Sequence, residues 1–192
     1  MKTGAWDGRR RGTPSPVRSI DDMQQAARST GVEYAGGADR PLRGYLTVLG
    51  AYGAVLGSLV TAGRVLGVRL PDRFSAADTA LIGIATHKAS RLLAKDAVAS
   101  PLRAPFTRYE EPAGDGELNE SVRGHGTQHA IGELLTCPFC LSVWVATGLT
   151  AGTVFAPRVT RAVTTVLTAV AVSDTLQLGY DAAKQVLRRL SR

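Results

Sequence analysis

Cysteine is scarce in this chain, and the scarcity limits the chemistry open to it. Only two of the 192 residues are cysteines. They are Cys137 and Cys140, in the stretch Thr-Cys-Pro-Phe-Cys. Helical membrane oxidoreductases pass electrons to a second cysteine pair or to a bound quinone. The sequence contains no second pair, so a complete redox relay is not evident from it.

Aromatic residues are also few, at 6% of the chain, and they do not alternate with basic residues along one surface. The basic residues, which give a formal net charge of +7, flank apolar segments instead. That placement is typical of membrane orientation and of contact with anionic headgroups. We therefore expect a lipid bilayer as partner and no nucleic acid.

Residues 1–43 lack strong helical periodicity, and no apolar stretch follows the early run Arg9-Arg10-Arg11. We expect a disordered, basic cytosolic tail without a cleavable signal peptide. A short helix over residues 20–29, capped by Ser19, can form within it. Residues 44–192 are expected to form a helical membrane domain.

Four segments of this domain predict transmembrane helices, at about residues 44–63, 76–94, 136–156 and 162–180. The first contains no charged residue, and Gly53 and Gly57 have the spacing that lets helices pack closely, including in self-association. The second, capped by Ser75, is charged in its C-terminal half, so three spans are the alternative to four. A tight turn over residues 157–161 is expected before the last span. The sequence thus predicts an all-α integral membrane protein.

The longest polar stretch, residues 100–133, is predicted to be a loop that begins where Ser100-Pro101 ends the second span. Its carboxylates lie in a Pro/Gly-rich context without a sign of burial. Salt links to Arg103, Arg108 and Arg123 are therefore the simpler expectation than acid–base catalysis. A short helix is predicted over residues 127–135.

Several charged residues adjoin the predicted spans. Lys88, Arg91 and Lys95 share one helix face, which either binds a phosphate or headgroup or marks a cytosolic helix end. Asp174 interrupts the last span, where a carboxylate near mid-membrane costs about 2.5–3.5 kcal/mol, and His87 or Arg91 is its expected partner. The alternative is that the span ends early and leaves Asp174 near the interface. The predicted functional surface comprises Lys88, Arg91, Lys95, Arg103, Glu133, Trp144 and Asp174.

Three interpretations of Cys137 and Cys140 stay open. Pro138 fits the first turn of a helix, and a thiolate at a helix N-terminus is stabilised, which suits a thiol–disulfide redox pair. With His125 and His129, spaced i, i+4, the two thiols would suit tetrahedral zinc. The third interpretation is structural packing at a helix entrance.

Four spans would place both termini on the same side. The positive-inside rule assigns these termini, the 100–133 loop and the two cysteines to the cytosol, because most Lys and Arg residues lie there. Cytosolic thiols are kept reduced, which disfavours a disulfide and leaves the metal and structural interpretations intact.

Two sequence blocks carry a family resemblance. They read T-H-K-A-S-R-L-L-A-K-D-A-V-A-S-P-L-R-A-P-F-T-R-Y-E-E and G-E-L-L-T-C-P-F-C-L-S-V-W. Together they resemble a bacterial membrane-protein family, domain of unknown function 1360, over residues 78–180. The matching features are Arg91, Lys95, Asp96, Pro101, Arg103, Pro105, Phe106, Glu133, Cys137, Pro138, Cys140 and Trp144. Some members are labelled sporulation proteins, but no activity is established, so the resemblance implies a class and not a mechanism.

We therefore expect a small multi-pass protein of the bacterial cytoplasmic membrane that acts as a non-catalytic assembly or interaction component. The alternative is a membrane thiol–disulfide oxidoreductase, or a metal-binding protein, that uses the Cys-Pro-Phe-Cys stretch.

Overall fold

The computed structural model describes residues 20–36, 40–114 and 116–191, and the chain divides into two units between Arg40 and Pro41. The described part of the first unit forms one helix, α1 (Ile20–Ala35). The helix predicted over residues 20–29 is present and continues to Ala35. Its expected cap, Ser19, and the run Arg9-Arg10-Arg11 lie outside the described residues, so the disorder of that tail stays a prediction.

The second unit is mainly helical, which confirms the all-α class. Its described elements are α2 (Leu42–Val65), α3 (Ala76–Lys95), a 3₁₀ turn (Ala97–Ala99), α4 (Ser100–Arg103), β1 (Thr107–Gly114), β2 (Glu117–Val122), α5 (Thr127–Thr136), α6 (Pro138–Phe155) and α7 (Pro157–Leu190).

The helix starts follow from local sequence. Ser75 caps α3 by accepting a hydrogen bond from the backbone N–H of Asp78, as expected. Pro138 occupies the first turn of α6, where its missing N–H costs nothing. The tight turn predicted over residues 157–161 is wrong. Pro157 starts α7 directly after Ala156, and α7 runs on to Leu190 as one helix.

Among the described residues, three helices are long and apolar enough to cross a membrane: α2, α6 and α7. The helix α3, predicted as a span over residues 76–94, is not among them. It carries one acidic residue near its start and three basic residues in its C-terminal half, which lower its mean hydropathy. Nevertheless α3 packs against both α6 and α7 and is the central helix of the bundle.

Small side chains form the contact between these three helices. A β-carbon added at Gly152 of α6 would collide with the side chain of Thr160 on α7. Small residues let helix backbones approach closely, which is how helices associate where no hydrophobic effect drives them together. The buried residues of the three helices are Ala85, Thr86, Ser90, Ala94, Leu141, Thr160 and Thr164.

The contacts fix the direction of each long helix. At its start α2 lies against Gly126 and Ala130, which precede α6, and near its end Gly63 contacts Phe155 at the end of α6. Thus α2 and α6 run in the same direction. The side chain of Thr168 on α7 donates a hydrogen bond to the Leu81 carbonyl of α3 at 3.3 Å. Further along both helices, Lys88 pairs with Asp174, so α3 and α7 run together, opposite to α2 and α6.

The polar segment predicted as a loop over residues 100–133 is largely structured. Ser100-Pro101 begins α4 instead of ending α3, which ends at Lys95. The strands β1 and β2 pair antiparallel from Thr107↔Val122 to Gly114↔Glu117. The predicted helix over residues 127–135 is present as α5. The hairpin packs at the end of the bundle where α3 ends. We call this end of the bundle the "hairpin end".

We expect Gly132→Ala to destabilise the protein, because α5 packs closely on the hairpin at this position. An added β-carbon would lie 2.5 Å from Val122 Cγ1 and 2.8 Å from the Phe106 carbonyl oxygen. Such overpacking costs about 1–3 kcal/mol of unfolding free energy, measurable by titration of the purified protein with SDS. Gly83→Ala in α3 is the matched control. Nothing lies within 4 Å of that position, so the change should stabilise by about 0.5–1 kcal/mol. Equal effects of the two substitutions on the free energy of unfolding would contradict the close packing of α5 on the hairpin.

Candidate functional site

The hairpin end brings together most of the charged residues that the sequence analysis selected. Arg103 is fully buried, and its Nε donates a hydrogen bond to Glu120 Oε2 of β2 at 2.5 Å. The Glu120 side chain is only 4% exposed. This pair confirms the salt link expected between Arg103 and a carboxylate of the 100–133 segment.

The same guanidinium also holds the end of α3. Arg103 Nη1 donates to the carbonyl oxygens of Leu93 at 2.8 Å and Asp96 at 3.1 Å. The Leu93 carbonyl belongs to the last turn of α3, where carbonyls lack an intrahelical partner. The Asp96 carbonyl follows α3 and also accepts a hydrogen bond from the Ala99 N–H at 3.1 Å. Arg103 Nη2 is buried without a hydrogen-bond partner among the described residues. One side chain therefore joins α3, α4 and β2, and we call Arg103 and Glu120 the buried pair.

A second ion pair connects α3 to the hairpin at its surface. Arg91 Nη2 lies 2.6 Å from both carboxylate oxygens of Glu117. The side chains are 43% and 24% exposed, so solvent screens this attraction far more than that of the buried pair. Arg91 belongs to the functional surface predicted from the sequence, whereas Glu117 and Glu120 do not. The sequence Asp115-Gly116 is a common signal of a hairpin turn, and it could have predicted that strands such as β1 and β2 flank it.

A third ion pair connects α3 to α7. Lys88 Nζ lies 2.9 Å from Asp174 Oδ2 and 4.0 Å from Asp96 Oδ2. The predicted partners of Asp174, His87 and Arg91, are therefore wrong. Arg91 is engaged by Glu117, while the side chain of His87 is exposed. The third basic residue of the predicted face, Lys95, is half-buried in the last turn of α3.

Two tyrosines of α2 provide its polar contacts with α5 and α6. Tyr45 Oη donates a hydrogen bond to Glu133 Oε2 at 2.5 Å. Tyr52 Oη lies 2.7 Å from Thr147 Oγ1, and the Tyr52 ring meets the Trp144 ring edge-on, with centroids 5.1 Å apart. Glu133 and Trp144, both selected from the sequence, thus serve here to fix α2.

Cys137 and Cys140 lie at the first turn of α6 and are not joined in a disulfide. Cys137 is half-buried and caps the helix, because its Sγ accepts a hydrogen bond from the Cys140 backbone N–H at 3.2 Å. Cys140 is exposed. The neighbouring Phe139 is 87% exposed, so this corner of the hairpin end is open.

The four-ligand zinc site predicted from Cys137, Cys140, His125 and His129 is not assembled. Within residues 20–36, 40–114 and 116–191, no three His, Cys, Asp or Glu side chains come together as a metal site requires. His129 Nε2 instead lies 3.6 Å from Glu133 Oε1, one helical turn further along α5. The helix therefore directs His129 to its own neighbour and not to the thiols.

Comparison with known proteins finds a matching protein family. The model of a family described as "Protein of unknown function (DUF1360)" matches residues 81–180. The sporulation protein YjcA of Bacillus subtilis (strain 168) is 38% identical over 69 residues. That alignment covers 34% of this chain and 58% of the relative, so the chain spans little more than half of the relative's length. No solved structure matches the chain.

We expect Glu120→Gln to lower the free energy of unfolding by about 3–5 kcal/mol, because it leaves the Arg103 charge buried and unpaired. Glu117→Gln, on the same strand, removes an exposed partner and should cost about 0–1 kcal/mol. The comparison uses SDS titration of the two purified variants beside the unmodified protein. If Glu120→Gln were as mild as Glu117→Gln, the buried pair would not be what holds the hairpin.

Proposed function

This chain belongs to the DUF1360 family of proteins of unknown function, and we propose that it is a four-span protein of the bacterial cytoplasmic membrane. In this proposal it acts as a non-catalytic assembly or interaction component, and its partners bind at the hairpin end. The lipid bilayer surrounds its helices. The proposal is supported by the exposed apolar surface of the long helices, by the directions in which the helices run, and by the distribution and pairing of the charged side chains.

Membrane insertion is supported by the apolar surface of the long helices. None of the most apolar window of α2 is buried within the protein, and only 6% of that of α6 and 11% of that of α7. Soluble monomers rarely expose apolar patches this large. Lipid would cover these faces, and the helical backbone satisfies its own hydrogen bonds in hydrocarbon.

A crossing by α3 follows from the directions of its neighbours. The two apolar helices α2 and α6 run in the same direction, and α3 is the one long helix described between them in sequence. If both cross the bilayer, the chain must return to the hairpin end through α3. The charges of α3 do not forbid this, because Lys88, Arg91 and Lys95 lie in its half nearer the hairpin end and Lys88 is paired with Asp174.

The charge distribution supports a cytosolic hairpin end. The opposite end of the bundle contains five basic residues: Arg64, Arg69, Arg73, Arg158 and Arg161. The hairpin end and the C-terminal part of α7 carry more, and cytoplasmic loops are enriched in Lys and Arg. Both termini would then be cytosolic.

One observation supports the non-catalytic role: Lys88, Arg91 and Arg103 are used in ion pairs that join one element to another. The surface cavity between α2 and α6, of about 380 Å³, is lined by apolar, aromatic and small residues such as Val55, Leu59 and Phe155. General acid–base catalysis needs a titratable group facing a substrate site. A scaffold needs the rigid arrangement of charges that the ion pairs supply.

Self-association through α2 is part of the same proposal. Gly53 and Gly57 have nothing within 4 Å of the position of an added β-carbon, so a helix of a second copy has room to approach there. A thiol–disulfide oxidoreductase is the alternative, favoured by the two adjacent free thiols. A purified protein without a redox-active disulfide or quinone would count against that alternative.

The topology is tested by labelling single cysteines with a membrane-impermeant maleimide in spheroplasts. In a Cys137→Ser/Cys140→Ser background, we expect Asp72→Cys, between α2 and α3, to react without permeabilisation. We expect Asn119→Cys, on β2, to react only after permeabilisation. Both positions are exposed, so burial does not explain a difference between them.

The control is the background protein without any cysteine, which should not label. If Asp72→Cys and Asn119→Cys reacted from the same side, α3 would not cross and the four-span proposal would fail. If a carbonate wash released the protein from the membrane and both cysteine variants were labelled without permeabilisation, the proposal of membrane insertion itself would be contradicted.

A further inference from the structure

The ion pairs and tyrosine contacts of the hairpin end leave Cys137 and Cys140 unused. Both thiols belong to one turn at the start of α6, and Pro138 between them fixes the backbone φ of that turn. The Cys140 N–H is already directed at Cys137 Sγ, at 3.2 Å. The two sulfur-bearing residues are therefore arranged by backbone geometry before any ligand arrives.

One electrostatic feature of this turn, the N-terminus of α6, attracts negative charge. α6 is 18 residues long, and the N-terminus of a helix carries about half a positive elementary charge. Backbone N–H groups there stabilise a thiolate, which is the form of cysteine that binds metals. The N–H···S hydrogen bond to Cys137 is the kind of interaction that orients a metal ligand from outside the metal's coordination sphere.

The number of ligands determines which metal this turn suits. Zinc in structural sites is almost always bound by four protein ligands. In the described part of the chain, no third His, Cys, Asp or Glu is placed to hold a metal ion together with the two thiols. Soft thiolate ligands select soft ions such as Cu(I), and Cu(I) forms stable complexes with only two thiolates.

We propose that Cys137 and Cys140 form a two-thiolate site for Cu(I) at the start of α6. Binding releases two protons, one from each thiol, and no electron is transferred. The resulting complex of one Cu(I) and two thiolates carries one net negative charge, which the N-terminus of α6 stabilises. The exposed Cys140 provides the route by which the ion enters. The site lies within one helical turn and does not depend on the proposed function.

The test uses the full chain, purified in detergent under anaerobic conditions with its thiols reduced. Cu(I) is supplied as its coloured complex with the chelator bathocuproine disulfonate, and the loss of colour measures transfer to the protein. We expect one Cu(I) per chain, and loss of this binding in Cys137→Ser and in Cys140→Ser. Ser142→Ala, one turn into the same helix, is the matched control and should bind as the unmodified chain does.

Three results would overturn the proposal. The first is no transfer of Cu(I) to the unmodified chain. The second is unchanged transfer to both serine variants, which would place the ion elsewhere. The third is binding of zinc at half an ion per chain, with dimer formation and no Cu(I) uptake, which would indicate a four-thiolate site shared by two copies. Helical circular dichroism of each variant shows whether lost binding reflects lost folding. None of these results bears on the labelling pattern that tests the four-span topology.

Discussion

The arrangement of the hairpin end depends on the burial of one arginine. A two-stranded hairpin is at best marginally stable by itself in water, and in β1 only Thr107 is buried. Arg103 compensates by joining Glu120 of β2 to the last carbonyl groups of α3. A buried ion pair is costly to desolvate, and the loss of one partner costs more than the pair contributes. The pair therefore specifies where the hairpin lies more than it adds stability.

This constraint extends into the helices. Arg103 and the backbone contacts of Asp96 with Glu117 and of the Ala97 N–H with the Gly116 carbonyl fix the hairpin to the end of α3. Glu117 is thereby positioned for Arg91. One helical turn before Arg91, Lys88 joins the central helix to α7. The outer helix α2 is attached differently, through tyrosine hydroxyls and a ring contact with Trp144. Most of its surface stays exposed, and this is the face that our proposal assigns to lipid and to a second copy.

Much of the helical framework could be predicted from local sequence. The uncharged apolar segment predicted the position of α2, Ser75 predicted the start of α3, and Pro138 predicted the start of α6. Each of these signals depends only on residues that are close in sequence. The hairpin could not be predicted in this way. The strand Thr-Arg-Tyr-Glu-Glu-Pro-Ala-Gly has no alternation of apolar residues, because strand pairing and distant ion pairs stabilise it instead of burial. The partner of Asp174 was missed for the same reason, since helix packing and not spacing selects Lys88. The four residues of the predicted zinc site are not gathered in the described part of the chain, because α5 directs His129 to Glu133.

Hydrogen–deuterium exchange of the full chain in lipid nanodiscs tests the central claim most directly. If the buried pair holds the hairpin on the bundle, the backbone amides of residues 117–122 will exchange far more slowly than those of the exposed connection over residues 66–75. That connection serves as an internal reference in the same sample. Exchange of residues 117–122 as fast as that reference would show an undocked hairpin and would contradict the account.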